Sequence, residues 1–551
     1  MTAAGEQLPS GTAVWQEHPN PMLRRETWIS LNGEWMLNKL PIRVPFPPQS
    51  VLSGYKGEVG DVFHYERQFI LPDGFAGGRV LLHFGAVDQI AEVRVNKTFI
   101  GKHAGGYLPF TFDVTNALLP GLNLIEVDAQ DTLNRDYPYG KQTNKRGGMW
   151  YTPVSGIWQS VWLEAVPERY IQNVRFTPDL TGVNVEVEGV EECEIRVQTG
   201  EGETIAQTIR RTGRVEIPNP KLWTPETPHL YPVTITAGED RVQSYFALRT
   251  ITIEQKRGKN RICLNGEPIF IHGVLDQGYF PEGIFLPADE SEFERDILRM
   301  KELGFNLLRK HVKVEPACFY AACDRLGMLV MQDMVNSGPY NFIWNTALPT
   351  VGFKCRRDDR VRMGFRQEFF IRHSEGTIRH LYNYPSLVSY TIFNESWGQF
   401  RADEVYRKLK ALDPTRLYDA TSGWFAQHDS DFDSEHIYFR TVKLRPKIRP
   451  MLLSECGGYS LFVKGHTFGE AQYGYGKCRS IAEFTQRIVN MYRKMVLPAI
   501  PEGLCGCIIT QLSDVEDEIN GLYTYDRKVC KVEAEKMRAL AEELYKKEDV
   551  L

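Results

Sequence analysis

Eight short apolar runs alternate with segments of helical spacing from about residue 253 to the C-terminus, and this alternation constrains the fold more than any other feature. The runs begin at residues 268, 305, 328, 387, 417, 435, 451 and 505. Eight strands that alternate with helices over about 300 residues predict a (β/α)8 barrel. A doubly wound open sheet is the alternative, disfavoured because no glycine-rich phosphate turn follows the first strand.

The chain upstream of this region has a different pattern of apolar and polar residues. Over residues 1–167, short alternating runs such as "RVLLHFGAV" and "AEVRVNKTFIG" are separated by Gly, Pro, Asn and Asp, which predicts a β jelly roll or sandwich. The alternation continues over residues 168–252, a length that suits a small immunoglobulin-like β-sandwich. We therefore expect three domains, with the (β/α)8 barrel over residues 253–551.

Composition excludes several classes of function. The net charge is −5 over 551 residues, which gives no support for binding to nucleic acid or to an anionic membrane. No window approaches the roughly 18 apolar residues of a membrane span, and the N-terminus shows no secretory pattern. The ten cysteines all lie at or after Cys193 without a paired CxxC spacing. We expect free thiols, a cytoplasmic location, and neither a metal nor a cofactor.

Two carboxylates lie at the predicted carboxyl ends of barrel strands. "TIFNESWG" (391–398) ends the fourth strand on Asn394 and Glu395, and "MLLSEC" (451–456) places Glu455 near the end of the seventh. Active sites of such barrels lie at these strand ends, so the two acids can face each other across the mouth. Glycoside hydrolysis needs two facing carboxylates. The alternative is that each acid is an isolated strand-end carboxylate paired with an arginine.

Further polar and aromatic residues lie at the same predicted rim. A single polar residue at such a position more often has a structural role. Together, however, these residues make an unusually polar rim for strands whose other residues are apolar. They are Arg309 and His311 after the second strand, Asp333 after the third, Trp424 after the fifth, and His436 and Tyr438 on the sixth.

Several motifs along nearly the whole chain resemble glycoside hydrolase family 2, the β-galactosidase and β-glucuronidase family. "RRETWISLNGEWML" and "SGIWQSVWLE" resemble its sugar-binding jelly roll, and "LWTPETPHLYP" resembles its immunoglobulin-like domain. "GFNLLRKHVKVEPACFYAACDRLGMLVMQDM" resembles the start of its barrel, and "FNESWG" resembles its acid/base signature.

The resemblance implies roles for individual residues. Glu395 would be the general acid/base, and Glu455 the nucleophile that forms a covalent glycosyl-enzyme with net retention. Asn394 would hydrogen-bond the sugar 2-hydroxyl, Tyr438 would orient Glu455, and Arg309 would keep it ionised. The weaker candidates for contacts with sugar hydroxyls are His311, Asp333 and His436.

The chain also departs from the family pattern. Well-known members place an Asp before the "SGI" motif and a Trp on the eighth strand, where this chain has Trp150 and Thr510. Glucuronidases carry an Asn-x-Lys pair where "EINGLYTYDR" offers Glu518 and Asn520 instead, and an acid there would repel a uronate. Asp276 and Gln277, after the first strand, are candidate replacements for the missing Asp as hydroxyl contacts.

The sequence therefore predicts a retaining exo-β-glycosidase with a carbohydrate substrate, with a β-galactoside favoured and glucuronidase activity disfavoured. A non-catalytic carbohydrate-binding protein would show substitutions at the two acids, and both acids are present. A metal-dependent barrel hydrolase needs clustered His and Asp residues at strand ends, where the histidines here are scattered. A homo-oligomer is an expectation from the family resemblance only.

Overall fold

A computed structural model describes residues 15–549 except 76, 201, 351, 354–356 and 439. The N-terminal region is a sandwich of a four-stranded sheet (β1-β12-β5-β9) and a six-stranded sheet (β3-β2-β4-β10-β7-β8). Its strands are β1 (Trp28–Ser30), β2 (Gly33–Leu37), β3 (Leu40–Val44), β4 (Val62–Ile70), β5 (Arg79–Phe84), β6 (Val87–Asp88), β7 (Ile90–Val95), β8 (Thr98–Ala104), β9 (Phe110–Asp113), β10 (Leu122–Gln130), β11 (Gly156–Ile157) and β12 (Val161–Val166).

The second region is a smaller sandwich of a three-stranded sheet (β13-β14-β17) and a four-stranded sheet (β16-β15-β18-β19). Apolar and polar residues alternate along its strands, so that one face of each sheet is buried. Its strands are β13 (Asn173–Pro178), β14 (Gly182–Glu188), β15 (Cys193–Gly200), β16 (Glu203–Ile209), β17 (Thr212–Glu216), β18 (Tyr231–Ala237) and β19 (Asp240–Phe246).

The C-terminal region is a nearly closed parallel barrel that follows a three-stranded antiparallel sheet. The antiparallel sheet consists of β20 (Ile251–Lys256), β21 (Lys259–Leu264) and β22 (Glu267–Pro268). The later strands are β23 (Ile271–Asp276), β24 (Leu307–Lys310), β25 (Leu329–Asp333), β26 (Leu387–Asn394), β27 (Leu417–Ser422), β28 (Asp433–Ile437), β29 (Met451–Gly457), β30 (Ser460–Leu461), β31 (Lys477–Cys478) and β32 (Leu504–Thr510).

The barrel sheet has the order β27-β26-β25-β24-β23-β32-β29-β28, so it contains the eight predicted strands. The ladder is parallel throughout, and the open seam lies between β27 and β28. Every residue of β26 and β29 is buried, as expected for strands covered on both faces. The predicted fold class, two β-sandwich domains followed by a (β/α)8 barrel, is confirmed.

Helices cover the outside of the barrel. They are α1 (Ser291–Glu302), α2 (Ala317–Leu326), α4 (Phe365–Leu381), α5 (Ala402–Leu412), α6 (Ile481–Met491) and α7 (Ala534–Asp549), and a short helix, α3 (Leu348–Thr350), lies between β25 and α4. Helix α2 ends at Gly327, whose φ of 72° is the left-handed conformation that lets the chain turn directly into β25. No helix in the described part of the chain is long and apolar enough to cross a membrane.

The jelly-roll region packs directly against the barrel. One hydrophobic cluster contains Tyr107 and Trp158 from the former and Tyr279 and Phe285 from the latter. The rings of Trp158 and Phe285 meet edge to face with centroids 5.0 Å apart. This contact anchors the segment between β10 and β11, which extends to the mouth of the barrel.

Candidate active site

Glu395 and Glu455 face each other at the carboxyl ends of their strands. Glu395 follows β26 directly and has a φ of 48°, a left-handed conformation that is uncommon for a residue with a side chain. One oxygen of each carboxylate and one nitrogen of His436 lie within 4.8 Å of one another. Carboxyl groups of retaining glycosidases are about 5–5.5 Å apart, whereas inverting enzymes need about 6.5–9.5 Å. The separation therefore fits direct attack by one carboxylate.

Glu455 is held as an ionised carboxylate. Arg309 Nη1 donates to its Oε1 at 3.1 Å, and the Tyr438 hydroxyl donates to its Oε2. Burial alone would raise the pKa of Glu455, but the charges of His436 and Arg309 outweigh burial and lower the pKa to about 2. A carboxylate with this pKa is ionised at neutral pH and can act as a nucleophile.

Arg309 connects three strands beneath the carboxylates and is fully buried. Its Nε donates to Asp333 Oδ1 at 2.9 Å, and its Nη2 donates to Asn394 Oδ1 at 3.0 Å. Burial would lower the pKa of Arg309, but Asp333 and Glu455 together raise it. Because Arg309 engages the oxygen of the Asn394 amide, the amide nitrogen is the group left for a ligand hydroxyl.

Glu395 has a different set of neighbours. Its Oε1 lies 2.8 Å from His436 Nδ1, and His436 Nε2 lies 2.9 Å from the Ser422 hydroxyl. No arginine or lysine forms an ion pair with Glu395 in the described part of the chain. The two acids thus have unlike surroundings, as expected when one donates a proton and the other attacks.

The structure brings most of the predicted rim residues to one cavity. Those that line it are Asn394, Glu395, His311, Gln277, Tyr438 and Glu455. Asp333 lies one layer below and holds His311, since its Oδ2 is 2.8 Å from His311 Nδ1. His436 lies between the two acids.

Trp424 and Asp276 are not among the residues that line this cavity. The Trp424 indole packs edge to face against His436 and donates to the Asn345 carbonyl at 3.0 Å. Asp276 Oδ2 accepts from Lys310 at 2.7 Å, and its Oδ1 accepts from the Gly278 amide at 2.9 Å. The structure therefore pairs Asp276 with buried protein groups and leaves Gln277 at the cavity wall.

Several cavity residues were not predicted as ligand contacts. They are Lys141, Met149, Leu275, Tyr475, Thr510 and Glu518, and Trp397 of the "FNESWG" segment lines the cavity with them. Thr510 Oγ1 lies 3.0 Å from the Tyr438 hydroxyl and helps to fix it. Lys141 and Met149 come from the segment between two jelly-roll strands, where no local sequence pattern marks a contact with the barrel.

Glu395, His436 and Glu455 could also hold a metal ion by their spacing. Both oxygens of Glu455 already accept hydrogen bonds from Arg309 and Tyr438. The buried guanidinium beside them supplies the positive charge that a cation would otherwise supply. These contacts favour an acid/base and nucleophile pair over a metal centre.

Comparisons with known proteins agree with this geometry. Residues 58–158 match the glycosyl hydrolase 2 galactose-binding domain-like family, and residues 169–249 match glycosyl hydrolases family 2. Residues 256–447 match the TIM barrel domain of glycosyl hydrolases family 2. The three matches follow one another in the order of the two sandwiches and the barrel.

Relatives of this chain include enzymes of two specificities. A β-galactosidase from Aeromonas hydrophila is 27% identical over 75% of this chain and 40% of its own length. A β-glucuronidase from Paenibacillus borealis is 24% identical over 74% of this chain and 71% of its own length. The chain spans less than half the length of several of the relatives that it matches, including a Thermoanaerobacter pseudethanolicus β-galactosidase, matched over 39% of its length.

Solved structures of similar fold extend over the whole chain. The β-D-glucuronidase of Dictyoglomus thermophilum has a TM-score of 0.76 at 18% identity and covers 95% of this chain and 98% of its own. The β-galacturonidase of Eisenbergiella tayi has a TM-score of 0.67 at 20% identity, with coverage of 96% and 98%. With its three domain matches and its paired carboxylates at the barrel mouth, the chain belongs to glycoside hydrolase family 2.

Proposed function

We propose that the protein is a retaining exo-β-glycosidase that releases terminal β-linked sugars by double displacement. The observation that supports this most is the pair of facing carboxylates with unlike surroundings. Arg309 and Tyr438 bind Glu455, whereas His436 and the cavity face Glu395. Met149 from the jelly-roll region and Tyr475 from the loop before β31 enclose the cavity, which favours a chain end over the middle of a polymer.

In the first step the glycosidic bond between C1 and the leaving oxygen breaks. Glu455 attacks C1 and forms the covalent glycosyl-enzyme, while Glu395 donates its proton to the leaving oxygen. Arg309 and Tyr438 fix the orientation of Glu455 so that its reacting oxygen needs no rearrangement. Asn394 Nδ2 is available to the sugar 2-hydroxyl, where a hydrogen bond strengthens as positive charge develops on the ring.

In the second step water hydrolyses the glycosyl-enzyme. Glu395, now ionised, takes a proton from the water, the water oxygen bonds to C1, and the bond to Glu455 breaks. Because each displacement inverts C1, the product retains the β configuration. His436, next to both acids, stabilises the negative charge that moves between them.

The sugar can be a neutral β-galactoside or an acidic β-uronide. The sequence favours the galactoside, and a β-galactosidase is among the relatives. A specific observation favours the uronide: the cationic residue Lys141 lines the cavity. The functional test must therefore include neutral and acidic forms of the same sugars.

A panel of 4-nitrophenyl β-glycosides tests this proposal. We expect hydrolysis of at least one member with retention, detected by NMR of the first-formed product. Glu455→Gln should lower kcat by at least about 1,000-fold, roughly 4 kcal/mol of barrier, because the covalent route is lost. Glu404→Gln, on the exposed face of α5, is the matched control and should retain full activity.

Two outcomes would contradict the proposal. Absence of turnover across the panel, with sugar binding retained, would favour a non-catalytic carbohydrate-binding protein. Full activity of Glu455→Gln would exclude Glu455 as the nucleophile.

A further inference from the structure

Lys141 projects from the jelly-roll region into the cavity of the barrel. It lies in the segment between β10 and β11, and its carbonyl accepts from the Tyr151 amide at 3.1 Å, which fixes the local backbone. Only 7% of the residue is exposed, yet it lines the cavity with Glu395 and Glu455. A lysine from one domain is thus built into the substrate pocket of another.

The ammonium of Lys141 has no hydrogen-bond acceptor and no ion-pair partner among the residues that the structure describes. It lies over the ring of Tyr151, whose centroid is 5.6 Å from Nζ. The charge of Lys141 also acts on His311. Burial is the largest cause that lowers the pKa of His311, and the positive charge of Lys141 is the second. Because an ammonium with little exposure is stabilised by a counter-ion, an anion in the cavity would favour this arrangement.

A second donor in the same wall also lacks a partner. The Nε2 atom of Gln277 is buried and makes no hydrogen bond within the described part of the chain. Gln277 lies on the loop after β23 and lines the cavity with Lys141. Two unpartnered donors, one of them charged, match a group that offers several acceptor oxygens, such as a carboxylate.

Besides the two facing carboxylates of Glu395 and Glu455, the cavity contains a third acid, Glu518, which would oppose an anionic ligand. Both of its oxygens are already engaged, since Oε2 accepts from the Tyr151 hydroxyl and Oε1 accepts from Asn520 Nδ2 at 2.9 Å. Glu518 does not pair with Lys141, so the ammonium stays available. The two donors to Glu518 and the positive charge of Lys141 reduce the repulsion that Glu518 alone would exert on a uronate.

We propose that Lys141 determines specificity by binding a carboxylate on the terminal sugar, with Gln277 Nε2 as a second donor. The substrate class is then a β-uronide, and the jelly-roll region supplies the residue that recognises its charge. This inference rests on the proposed glycosidase function. It is compatible with a galactose-like ring, because the carboxylate replaces only the hydroxymethyl group at C5.

Paired substrates and variants test the proposal. The substrates are the 4-nitrophenyl β-D-galacturonide and β-D-glucuronide with the matching galactoside and glucoside. We expect the wild type to prefer one of the acidic substrates over its neutral counterpart by at least tenfold in kcat/KM. Lys141→Met should lower kcat/KM for the acidic substrate about 10- to 150-fold, mainly through KM, and change the neutral one less than about threefold.

Lys145→Met is the matched control, because Lys145 is an exposed lysine of the same segment. It should leave both substrates unchanged. A second measurement needs no variant: the free uronate of the preferred series, galacturonate or glucuronate, should inhibit the wild type at least tenfold more strongly than its neutral sugar. Equal inhibition by the uronate and its neutral sugar in both series, or an equal loss of both activities in Lys141→Met, would overturn the proposal. The outcomes are separable, since hydrolysis of neutral glycosides alone would refute this inference and leave the glycosidase function intact.

Discussion

Removing the Tyr438 hydroxyl isolates one hydrogen bond to the proposed nucleophile. Tyr438 donates to Glu455 Oε2 and lies 3.0 Å from Thr510 Oγ1, so Tyr438→Phe deletes one oxygen and leaves the ring in place. Arg309 stays bound to the other oxygen of Glu455. The variant therefore tests whether this phenol keeps Glu455 ionised and oriented.

The size of the effect follows from the chemistry of the bond. A hydrogen bond to a charged group contributes about 1.5–3 kcal/mol, which corresponds to about 10- to 150-fold in rate. The same energy is about 1–2 pKa units. Since the bond favours the ionised form, its loss should raise the pKa of Glu455 from about 2 to about 3–4.

The assay is the pH dependence of kcat/KM for the best nitrophenyl glycoside between pH 3 and 8. The acid limb in the wild type should lie at the bottom of this range or below it, since Glu455 has a pKa of about 2. Tyr438→Phe should move the limb upward by about 1–2 units and lower the plateau at least tenfold. An unmoved limb with a plateau within twofold of the wild type would refute the reasoning.

Tyr406→Phe is the matched control for this experiment. The Tyr406 hydroxyl donates to Asp431 Oδ1 at 2.9 Å, so the variant also deletes a bond between a phenol and a carboxylate. Tyr406 lies on α5, outside the cavity. Loss of this hydrogen bond in Tyr406→Phe should leave both the acid limb and the plateau of the pH profile unchanged.

Two more predictions concern the proposed acid/base and a buried acid. Glu395→Ala should retain far more activity on glycosides with good leaving groups than on poor ones, because only the latter need a proton, and an equal loss on both would assign Glu395 another role. Burial raises the pKa of Asp419, on β27, to about 6. Because this folded-state pKa exceeds the unfolded value of about 3.9, ionisation costs about 3 kcal/mol of stability as pH rises through this window. Asp419→Asn should therefore raise the Tm at pH 7.5 and have little effect at pH 4, whereas equal shifts at both pH values would contradict this assignment.

The barrel and the positions of the carboxylates at its rim were predictable because they depend on local pattern. Buried parallel strands are continuous apolar runs, and a carboxylate directly after such a run must lie at a strand end. This reasoning places Glu395 and Glu455 without any knowledge of which strands are neighbours. It places Arg309 and Tyr438 equally well, since each lies at the end of its own strand.

The partners of charged residues could not be predicted, because they depend on contacts across strands and domains. Asp276 has the same strand-end position as Asp333, yet it pairs with Lys310 behind the cavity wall. Lys141 lies in a turn-rich segment of a different domain. Its position in the cavity follows from the packing of Trp158 against Phe285, and no local pattern encodes that contact.

Trp150 joins a segment that is recognisable from local sequence pattern to a contact between domains that the pattern does not encode. Its ring stacks on Trp397 with centroids 5.3 Å apart and planes at 12°, and Tyr340 packs edge to face against both rings. Trp397 belongs to the "FNESWG" segment, so this stack fixes the jelly-roll segment beside Glu395. An aspartate at position 150 would offer a polar contact and no such stack. The jelly-roll segment thus contacts the barrel through the aromatic ring of Trp150. Its charged group in the cavity is Lys141, nine positions earlier. The charge of Lys141 is positive, whereas that of an aspartate at position 150 would be negative.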